Sequence, residues 1–156
     1  MRKLTFLLSL ILSLQAQSQT IITIAGTGTS GFSGDGGSAI SAKINYAADV
    51  VTDGSGNIFF SDYNNQRIRK INSSGIISTI AGTGVAGYNG DGIQATAAQL
   101  NKPYGLAIDD TGNLYIADWF NNRVRKVNTA GIISTIAGTG TGAYSGDGGP
   151  AIAANM

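Results

Sequence analysis

The sequence predicts an all-β fold in which small antiparallel sheets repeat along the chain. The first observation is an internal repeat with a period of 56 residues, because TIAGTG begins at Thr23, Thr79 and Thr135. Residues 23–78 align with residues 79–134 without a gap, and 26 of the 56 positions are identical. The second observation is that apolar residues occur in short bursts bounded by turn residues, which is typical of strands and not of helices.

Each unit contains four such bursts, and the separators carry turn residues such as Asp, Gly and Asn. In chain order, we expect a lone outer strand at 21–25, a four-stranded unit at 47–81, a second unit at 103–137 and a trailing linker at 138–156. Because one small sheet can bury its faces only against neighbouring sheets, such units stack as blades. The pattern predicts a partial β-propeller with two complete four-stranded antiparallel blades plus one orphan N-terminal outer strand.

The first 18 residues have the pattern of a secretory signal peptide. Arg2 and Lys3 precede an apolar run at 4–14, which is too short to span a membrane as a helix. We expect cleavage near Gln19, which leaves residues 19–156 as one propeller segment with no membrane span. The expected location is secreted, on the cell surface or periplasmic.

The amino-acid composition argues against catalysis and metal binding by this chain. The chain has no cysteine and no histidine, and all nine of its acidic residues are aspartates. General acid–base catalysis near neutral pH depends mainly on histidine or glutamate, and zinc or copper sites use histidine and cysteine. We therefore expect no catalytic residue, no cofactor and no metal site. The net charge of +1 gives no indication of a nucleic-acid partner.

The second unit resembles an NHL repeat. The resemblance lies in NKPYGLAID at 101–109, GNLYIAD at 112–118 and NRV at 122–124. The first unit is a weaker copy, with Ala47 and Asp49 at the positions of Pro103 and Gly105. The resemblance implies a ring of six blades or nearly six. Since two blades cannot close such a ring, we expect an N-terminal fragment of a longer protein, or a chain that associates with itself.

Candidate ligand contacts lie on one rim. Because each strand reverses direction, the loops at 62–67 and 118–123 should share an end of the blades with the linkers at 26–44 and 82–100. Exposed aromatic residues on rigid loops are typical binding anchors. The candidates are Tyr63, Trp119, Phe120 and Tyr88.

The structural alternative applies to some of these aromatic residues. Phe32, Tyr88 and Tyr144 recur in register, which favours small satellite cores beneath their own loops. For Trp119 and Phe120, binding and structural roles both remain open.

Several charged residues are interpreted as structural. We expect Asp62 to pair with Arg67 and Asp118 with Arg123, so that each pair holds the turn between its members. The basic row that contains these arginines is interpreted as a solvated strand face and not as an RNA-binding site. The aspartates of the GDG segments should accept hydrogen bonds from backbone amides of their own turns, since one carboxylate per loop is too few for calcium. These aspartates are Asp35, Asp91 and Asp147.

The favoured function is an extracytoplasmic binding or interaction scaffold that performs no chemistry of its own. Its partner would be an unknown protein or glycan, with the remaining blades of a longer chain as intramolecular partners. Two alternatives remain open. The resemblance allows the N-terminal part of a metal-dependent lyase or lactonase whose catalytic residues lie in missing blades, and the repetition allows a structural component of a cell-surface or matrix protein.

Overall fold

Strands and short 3-10 turns make up the regular structure of residues 19–156, which are the residues that the computed structural model describes. The predicted signal peptide at 1–18 lies outside the described residues. Within the described part, no helix is long and apolar enough to cross a membrane. The 3-10 turns are Ala39–Ser41, Tyr63–Asn65, Ala95–Ala97, Trp119–Asn121 and Ala151–Ala153.

The first blade is a four-stranded antiparallel meander in which each strand pairs with the next one in sequence. Such a meander needs only short hairpin connections, which the turn residues supply. Its strands are β1 (Ala47–Thr52), β2 (Ile58–Asp62), β3 (Arg67–Ile71) and β4 (Ile77–Ala81).

The second blade repeats this meander and gains one strand. The additional strand comes from the linker between the blades and pairs with the outer edge of the sheet, so this sheet has five strands instead of the predicted four. In the first blade the equivalent contact is a single bridge between Ser38 and Ile76. The strands are β5 (Ile93–Gln94), β6 (Pro103–Ile108), β7 (Leu114–Asp118), β8 (Arg123–Val127) and β9 (Ile132–Ala137).

The first hairpin of each blade is closed by an aspartate. The Asp53 carboxylate accepts hydrogen bonds from the backbone amides of Ser55 and Asn57, both at 2.9 Å. Asp109 accepts the same pair of bonds in the second blade. Carboxylates that bond their own turn in this way specify the turn locally, so the hairpins form where the sequence predicts them.

The two sheets pack face against face. They share no strand ladder, and one hydrophobic cluster joins Phe59 and Ile68 of the first blade to Leu114 and Ile116 of the second. A carboxylate also links the inner strands, because Asp49 Oδ2 accepts a hydrogen bond of 2.7 Å from the Leu106 amide. The prediction of an all-β fold with two stacked blades is confirmed.

The linker at 82–100 fills the space between the blades. Ala95, Ala98 and Leu100 are buried in the same cluster, and the Gly82 amide donates to the Ala95 carbonyl at 2.9 Å. At Gly82 a side chain would collide with the first blade, since a Cβ atom there would lie 2.2 Å from the Gln66 carbonyl oxygen. The linker therefore depends on glycine at this point of close approach.

The predicted outer strand at 21–25 does not form. Residues 21–25 make no ladder with another strand in the described part of the chain, and Ile21 is 98% exposed. The apolar pattern of this segment is that of a strand, but a strand requires a hydrogen-bonded neighbour. The edge strands of the two sheets, β1, β4, β5 and β6, do not pair with residues 21–25.

Candidate functional site

An exposed group of aromatic side chains lies at one end of the blades, and we call it the aromatic rim. Tyr63 and Trp119 occupy equivalent positions in the 3-10 turns that follow β2 and β7. Phe120 follows Trp119 in the same turn, while Tyr46 and Tyr104 lie where the inner strands β1 and β6 begin. The rim thus combines contributions from both blades.

The five rings form one continuous chain of edge-to-face and tilted contacts. Ring centroids are 5.3 Å apart for Tyr46 and Tyr63, 6.1 Å for Tyr63 and Tyr104, 5.6 Å for Tyr104 and Trp119, and 5.1 Å for Trp119 and Phe120. These distances lie within the range that aromatic pairs favour. Four of the rings are nevertheless 44–59% exposed, so they hold each other in place while leaving apolar surface in contact with solvent.

Side-chain hydrogen bonds fix the two turns that carry the rim. The Asn65 amide side chain donates to the Gly31 carbonyl at 2.7 Å and to Asp62 at 2.8 Å. Asn121 repeats these two contacts in the second blade with Gly87 and Asp118, both at 2.7 Å. Tyr63, Trp119 and Phe120 therefore lie on turns that are hydrogen-bonded to the preceding linkers.

A cleft of about 820 Å³ opens beside the rim. Tyr46, Tyr63, Tyr104 and Trp119 line one part of it, and the rest runs over the free face of the second blade. Lys102 provides a cation here, with its Nζ 4.8 Å from the Tyr63 centroid and 2.6 Å from Asn64 Oδ1. The cleft thus offers apolar faces together with a few polar groups, a combination that suits organic ligands.

Three of the four predicted rim residues come together in this cluster, and Tyr88 does not. The Tyr88 ring lies beneath two guanidinium groups, those of Arg123 at 3.9 Å and Arg125 at 4.8 Å from its centroid. Phe32 has the same position under Arg67 and Arg69. For Phe32 and Tyr88 the expected apolar satellite cores are thus cation–π stacks, because the basic strand faces the linker. The Tyr144 ring forms no such core and is 83% exposed.

Tyr46 and Tyr104 are rim residues that the sequence analysis missed. Their repeat equivalents are Lys102 and Ala48, so neither aromatic residue recurs in register. Both lie near the start of an inner strand, and only the stacking of the blades brings them beside Tyr63. The sequence signal that could have identified them is an aromatic residue just before or inside a predicted inner strand.

The predicted Asp62–Arg67 and Asp118–Arg123 ion pairs are wrong. Asp62 instead binds Arg69 at 3.1 Å, and all of these side-chain atoms are buried. Arg67 lies opposite Asp62 in the strand ladder, but its guanidinium donates to the carbonyls of Asn65 and Thr83. A turn carbonyl and a linker carbonyl therefore bind Arg67, and Asp62 binds Arg69, two residues further along.

The second blade shows the same change of partner. Asp118 binds Arg125 at 3.3 Å, while Arg123 donates to the carbonyls of Asn121 and Thr139. Burial is the main influence on the Asp118 carboxyl and raises its pKa, while hydrogen bonds and Arg125 act in the opposite direction. The expectation of a solvated basic face is wrong for Arg69 and Arg125, whose side chains are 0% exposed.

The GDG aspartates bind side chains and not the backbone amides of their own turns. Asp35 accepts from Arg69 at 2.7 Å, and Asp91 accepts from Arg125 at 3.0 Å. Asp147 accepts from the Tyr144 hydroxyl at 2.5 Å. The Asx-type cap predicted for these residues is therefore wrong. The first two linkers fold back over a basic strand and bring an arginine within reach of Asp35 and Asp91, while Asp147 binds the nearby Tyr144 hydroxyl.

The carboxylates of the hairpin turns have depressed pKa values. The Asn113 side-chain amide lowers the pKa of Asp109 well below its ordinary range, and the Thr111 hydroxyl adds to this effect. Asn57 acts in the same way on Asp53. Among residues 19–156, no three potential metal-ligating side chains gather at one point.

The family model of the teneurin NHL domain matches residues 85–147, which contain most of the second blade and its linker. Over this segment the chain is similar to NHL-repeat proteins. This agrees with the resemblance carried by the second unit, and NHL repeats build β-propellers.

Curated relatives share these NHL repeats over part of their length. Mouse teneurin-4 is 35% identical over 98 residues, covering 54% of this chain and 4% of that protein. The Arabidopsis thaliana protein SUPPRESSOR OF QUENCHING 1 is 33% identical over 98 residues, covering 62% of this chain and 9% of that protein. The chain thus spans less than a tenth of the length of these relatives.

Solved structures support the fold. A structural genomics protein of unknown function from Bacteroides thetaiotaomicron superposes with a TM-score of 0.60 and 27% identity, over 69% of this chain and 27% of that one. An auxiliary nutrient binding protein from Bacteroides ovatus superposes with a TM-score of 0.53 and 18% identity, over 72% and 28% of the two chains. At 18% identity the second likeness concerns the fold alone.

Proposed function

We propose that this NHL-repeat chain is an extracytoplasmic binding scaffold that contacts its ligand through the aromatic rim and carries out no covalent step. The observation that carries the proposal is the continuous cluster of five rings beside an open cleft. Contiguous exposed apolar surface on a rigid mount is typical of interaction sites.

The chemistry of the rim supports binding by contact. Trp and Tyr offer large apolar faces at small conformational cost, and their polar atoms can still accept or donate hydrogen bonds. The side-chain hydrogen bonds of Asn65 and Asn121 fix the two turns, so ligand binding would not have to pay for ordering them. Both protein and glycan ligands fit such a surface.

The proposed location rests on the signal-like residues 1–18, and the absence of chemistry rests on a sequence without histidine, glutamate or cysteine. Export is tested by expressing the full chain in a secreting host. Mass spectrometry of the released protein should find a start near Gln19. Retention of an intact N-terminus inside the cell would contradict this part of the proposal.

Trp119 makes the binding proposal directly measurable, because the chain contains one tryptophan and it lies in the rim. The protein is first tested against an array of defined oligosaccharides and a displayed peptide library, and each hit is then titrated while tryptophan emission is followed. Saturable changes in emission are expected for true rim ligands.

Matched variants separate rim binding from other binding. Tyr104→Ala and Phe120→Ala should each weaken a rim ligand by about tenfold or more, since truncation of an aromatic anchor costs about 2 kcal/mol or more. Tyr144→Ala is the control, because that ring is exposed but lies outside the rim. Equal losses in all three variants, or no loss in any of them, would refute the rim as the binding surface.

A further inference from the structure

One cation at the aromatic rim pairs with no carboxylate of residues 19–156. Lys102 lies just before β6, with its Nζ 4.8 Å from the Tyr63 centroid and 2.6 Å from Asn64 Oδ1. The four ion pairs of the described residues all involve Arg69 or Arg125. Since an ammonium group has three donors, Lys102 retains capacity to bind an acceptor on a ligand.

The backbone of Lys102 is held by the neighbouring blade. Its amide donates to Gln66 Oε1 at 2.6 Å, and Gln66 is buried. Lys102 has a φ of 54°, and its repeat equivalent Tyr46 has a φ of 67°. One uncommon backbone conformation thus carries a ring in the first blade and a cation in the second. The conformation by itself therefore does not require lysine at this position.

The carboxylates on the strands that carry the rim already have partners. Asp62 on β2 and Asp118 on β7 are fully buried and bind arginines. Asp49, on β1, accepts hydrogen bonds from the backbone amides of Val50 and Leu106. The described part of the rim thus combines an unpaired ammonium with carboxylates that are already satisfied. Charge complementarity therefore favours an anionic ligand.

Backbone groups at the rim are already used. The Tyr63 amide donates to the Tyr46 carbonyl, and the Asn64 amide donates to the Asn45 carbonyl, both at 3.1 Å. Recognition of an extended peptide by main-chain pairing requires such groups to be available. A rim ligand must therefore be recognised by side chains, which are the ring faces, the Asn64 amide and the Lys102 ammonium.

A sugar ring matches this set of side chains. The C–H face of a pyranose ring is apolar and can stack on an aromatic face, while its oxygen atoms point outward along the edge of the ring. Asn64 Oδ1 and Lys102 Nζ are 2.6 Å apart, which is close to the spacing of neighbouring oxygen atoms on a sugar. The pair can accept from one sugar hydroxyl and donate to the next oxygen. A carboxylate at the edge of the sugar would meet the ammonium.

We propose that the rim selects acidic oligosaccharides whose pyranose rings carry carboxylates, and that Lys102 determines this specificity. The sugar face would stack on the exposed rings, and the carboxylate would bind the Lys102 ammonium. The proposal rests on the proposed function, because it assigns a ligand class to the same surface. Lys102, Asn64 and Tyr63 lie where the two described blades meet, so the site needs no further sheet.

The test compares two probes that differ only in charge. One is a tetramer of galacturonic acid, and the other is the same tetramer with every carboxyl group methyl-esterified. Each is titrated into the full chain by calorimetry, while Trp119 emission reports contact with the rim. We expect the acid to bind at least about fivefold more tightly than its ester, because the ester cannot form an ion pair with Lys102. Added salt should reduce this advantage.

Two lysine variants make the result specific. Lys102→Met should bind the acid and the ester with equal affinity. Lys126→Met is the matched control, because it removes the same charge at the other end of the second blade, where the Lys126 ammonium lies 5.6 Å from the Tyr115 centroid. This control should keep the full preference for the acid. Tyr104→Ala should weaken both probes to a similar extent, since the stacked sugar face is common to them.

Three outcomes would overturn the proposal. These are no binding of either sugar at millimolar concentration, equal binding of acid and ester by the natural protein, and a preference for the acid that survives in Lys102→Met. If a library peptide instead binds and loses affinity in Tyr104→Ala, the rim is a protein-binding surface, and the proposed function stands while this ligand class fails. If no probe of any class loses affinity in Tyr104→Ala, the proposed function fails as well.

Discussion

Replacing Arg125 with methionine should destabilise the protein more than any other single change to its charged residues in the second blade. The guanidinium is 0% exposed and donates to Asp118, Asp91 and the Gly90 carbonyl at 3.3, 3.0 and 2.9 Å. Methionine retains most of the apolar stem, so the variant tests the charge more than the packing.

The magnitude follows from what remains after the substitution. Asp91 is partly exposed and can be solvated, but Asp118 is fully buried and would lose its only cation. Removal of one partner from a buried ion pair costs about 3–5 kcal/mol, out of a total of about 5–15 kcal/mol for a typical domain. Because burial already raises the pKa of Asp118, loss of Arg125 should raise that pKa further.

The pH dependence has a definite sign. A carboxyl whose folded pKa lies above its unfolded value contributes stability that is fully present below the unfolded pKa and is lost as pH rises through the folded pKa. The deficit of Arg125→Met relative to the natural protein should therefore shrink as the pH is lowered from about 7 to about 4. Adding Asp118→Asn should recover at least about 1 kcal/mol at pH 7, since it removes the uncompensated charge.

Urea unfolding followed by Trp119 emission and circular dichroism measures these differences in unfolding free energy. Arg123→Met is the matched control, because Arg123 stacks on the same Tyr88 ring but donates only to neutral carbonyls. Its expected cost is about 1 kcal/mol. Similar costs for the two arginine variants, or a cost below about 1 kcal/mol for Arg125→Met, would refute the reasoning about the buried pair.

Two further predictions concern the turns and the linker. Because the pKa of Asp109 is depressed, its stabilising contribution is present above the unfolded pKa of about 3.9 and is lost as pH falls through the folded pKa. In urea titrations, Asp109→Asn should therefore flatten the loss of unfolding free energy below about pH 4. An unchanged acid profile would argue against this role. Gly82→Ala should lower the unfolding free energy by at least about 2 kcal/mol more than Gly56→Ala. Both glycines have positive φ values, but only a Cβ atom at position 82 would collide with backbone atoms. Equal melting temperatures of the two variants would contradict the predicted collision.

Local sequence patterns were sufficient for the four meander strands and the hairpin turns of each blade, but not for the added strand β5. The 56-residue period, the short apolar bursts and the Asp-x-x-Gly-Asn turns act over a few residues, so their consequences can be predicted without knowledge of the whole fold. Asp53 and Asp109 close their hairpins through the backbone amides next to them. The NHL resemblance depends on these same local features.

Long-range packing decided the partners of the charged residues. A row of alternating basic residues looks like a solvated strand face, but the linker folds back over it and buries Arg69 and Arg125 completely. Asp62 then binds the buried arginine and not its direct neighbour across the ladder, Arg67. Such choices depend on carbonyls and carboxylates supplied from more than thirty residues away, as with Asp35 and Arg69.

By itself, then, the amino-acid sequence determined the repeat, the four meander strands of each blade, the hairpin turns and three of the rim residues, because each depends on neighbours in the chain. Only the tertiary structure decided that Tyr46 and Tyr104 join the rim, that residues 21–25 form no strand, and that the linkers at 26–44 and 82–100 each bind an arginine pair. The physical reason is that these features require surfaces from separate repeats to meet, and sequence periodicity does not specify how closely one blade approaches the next.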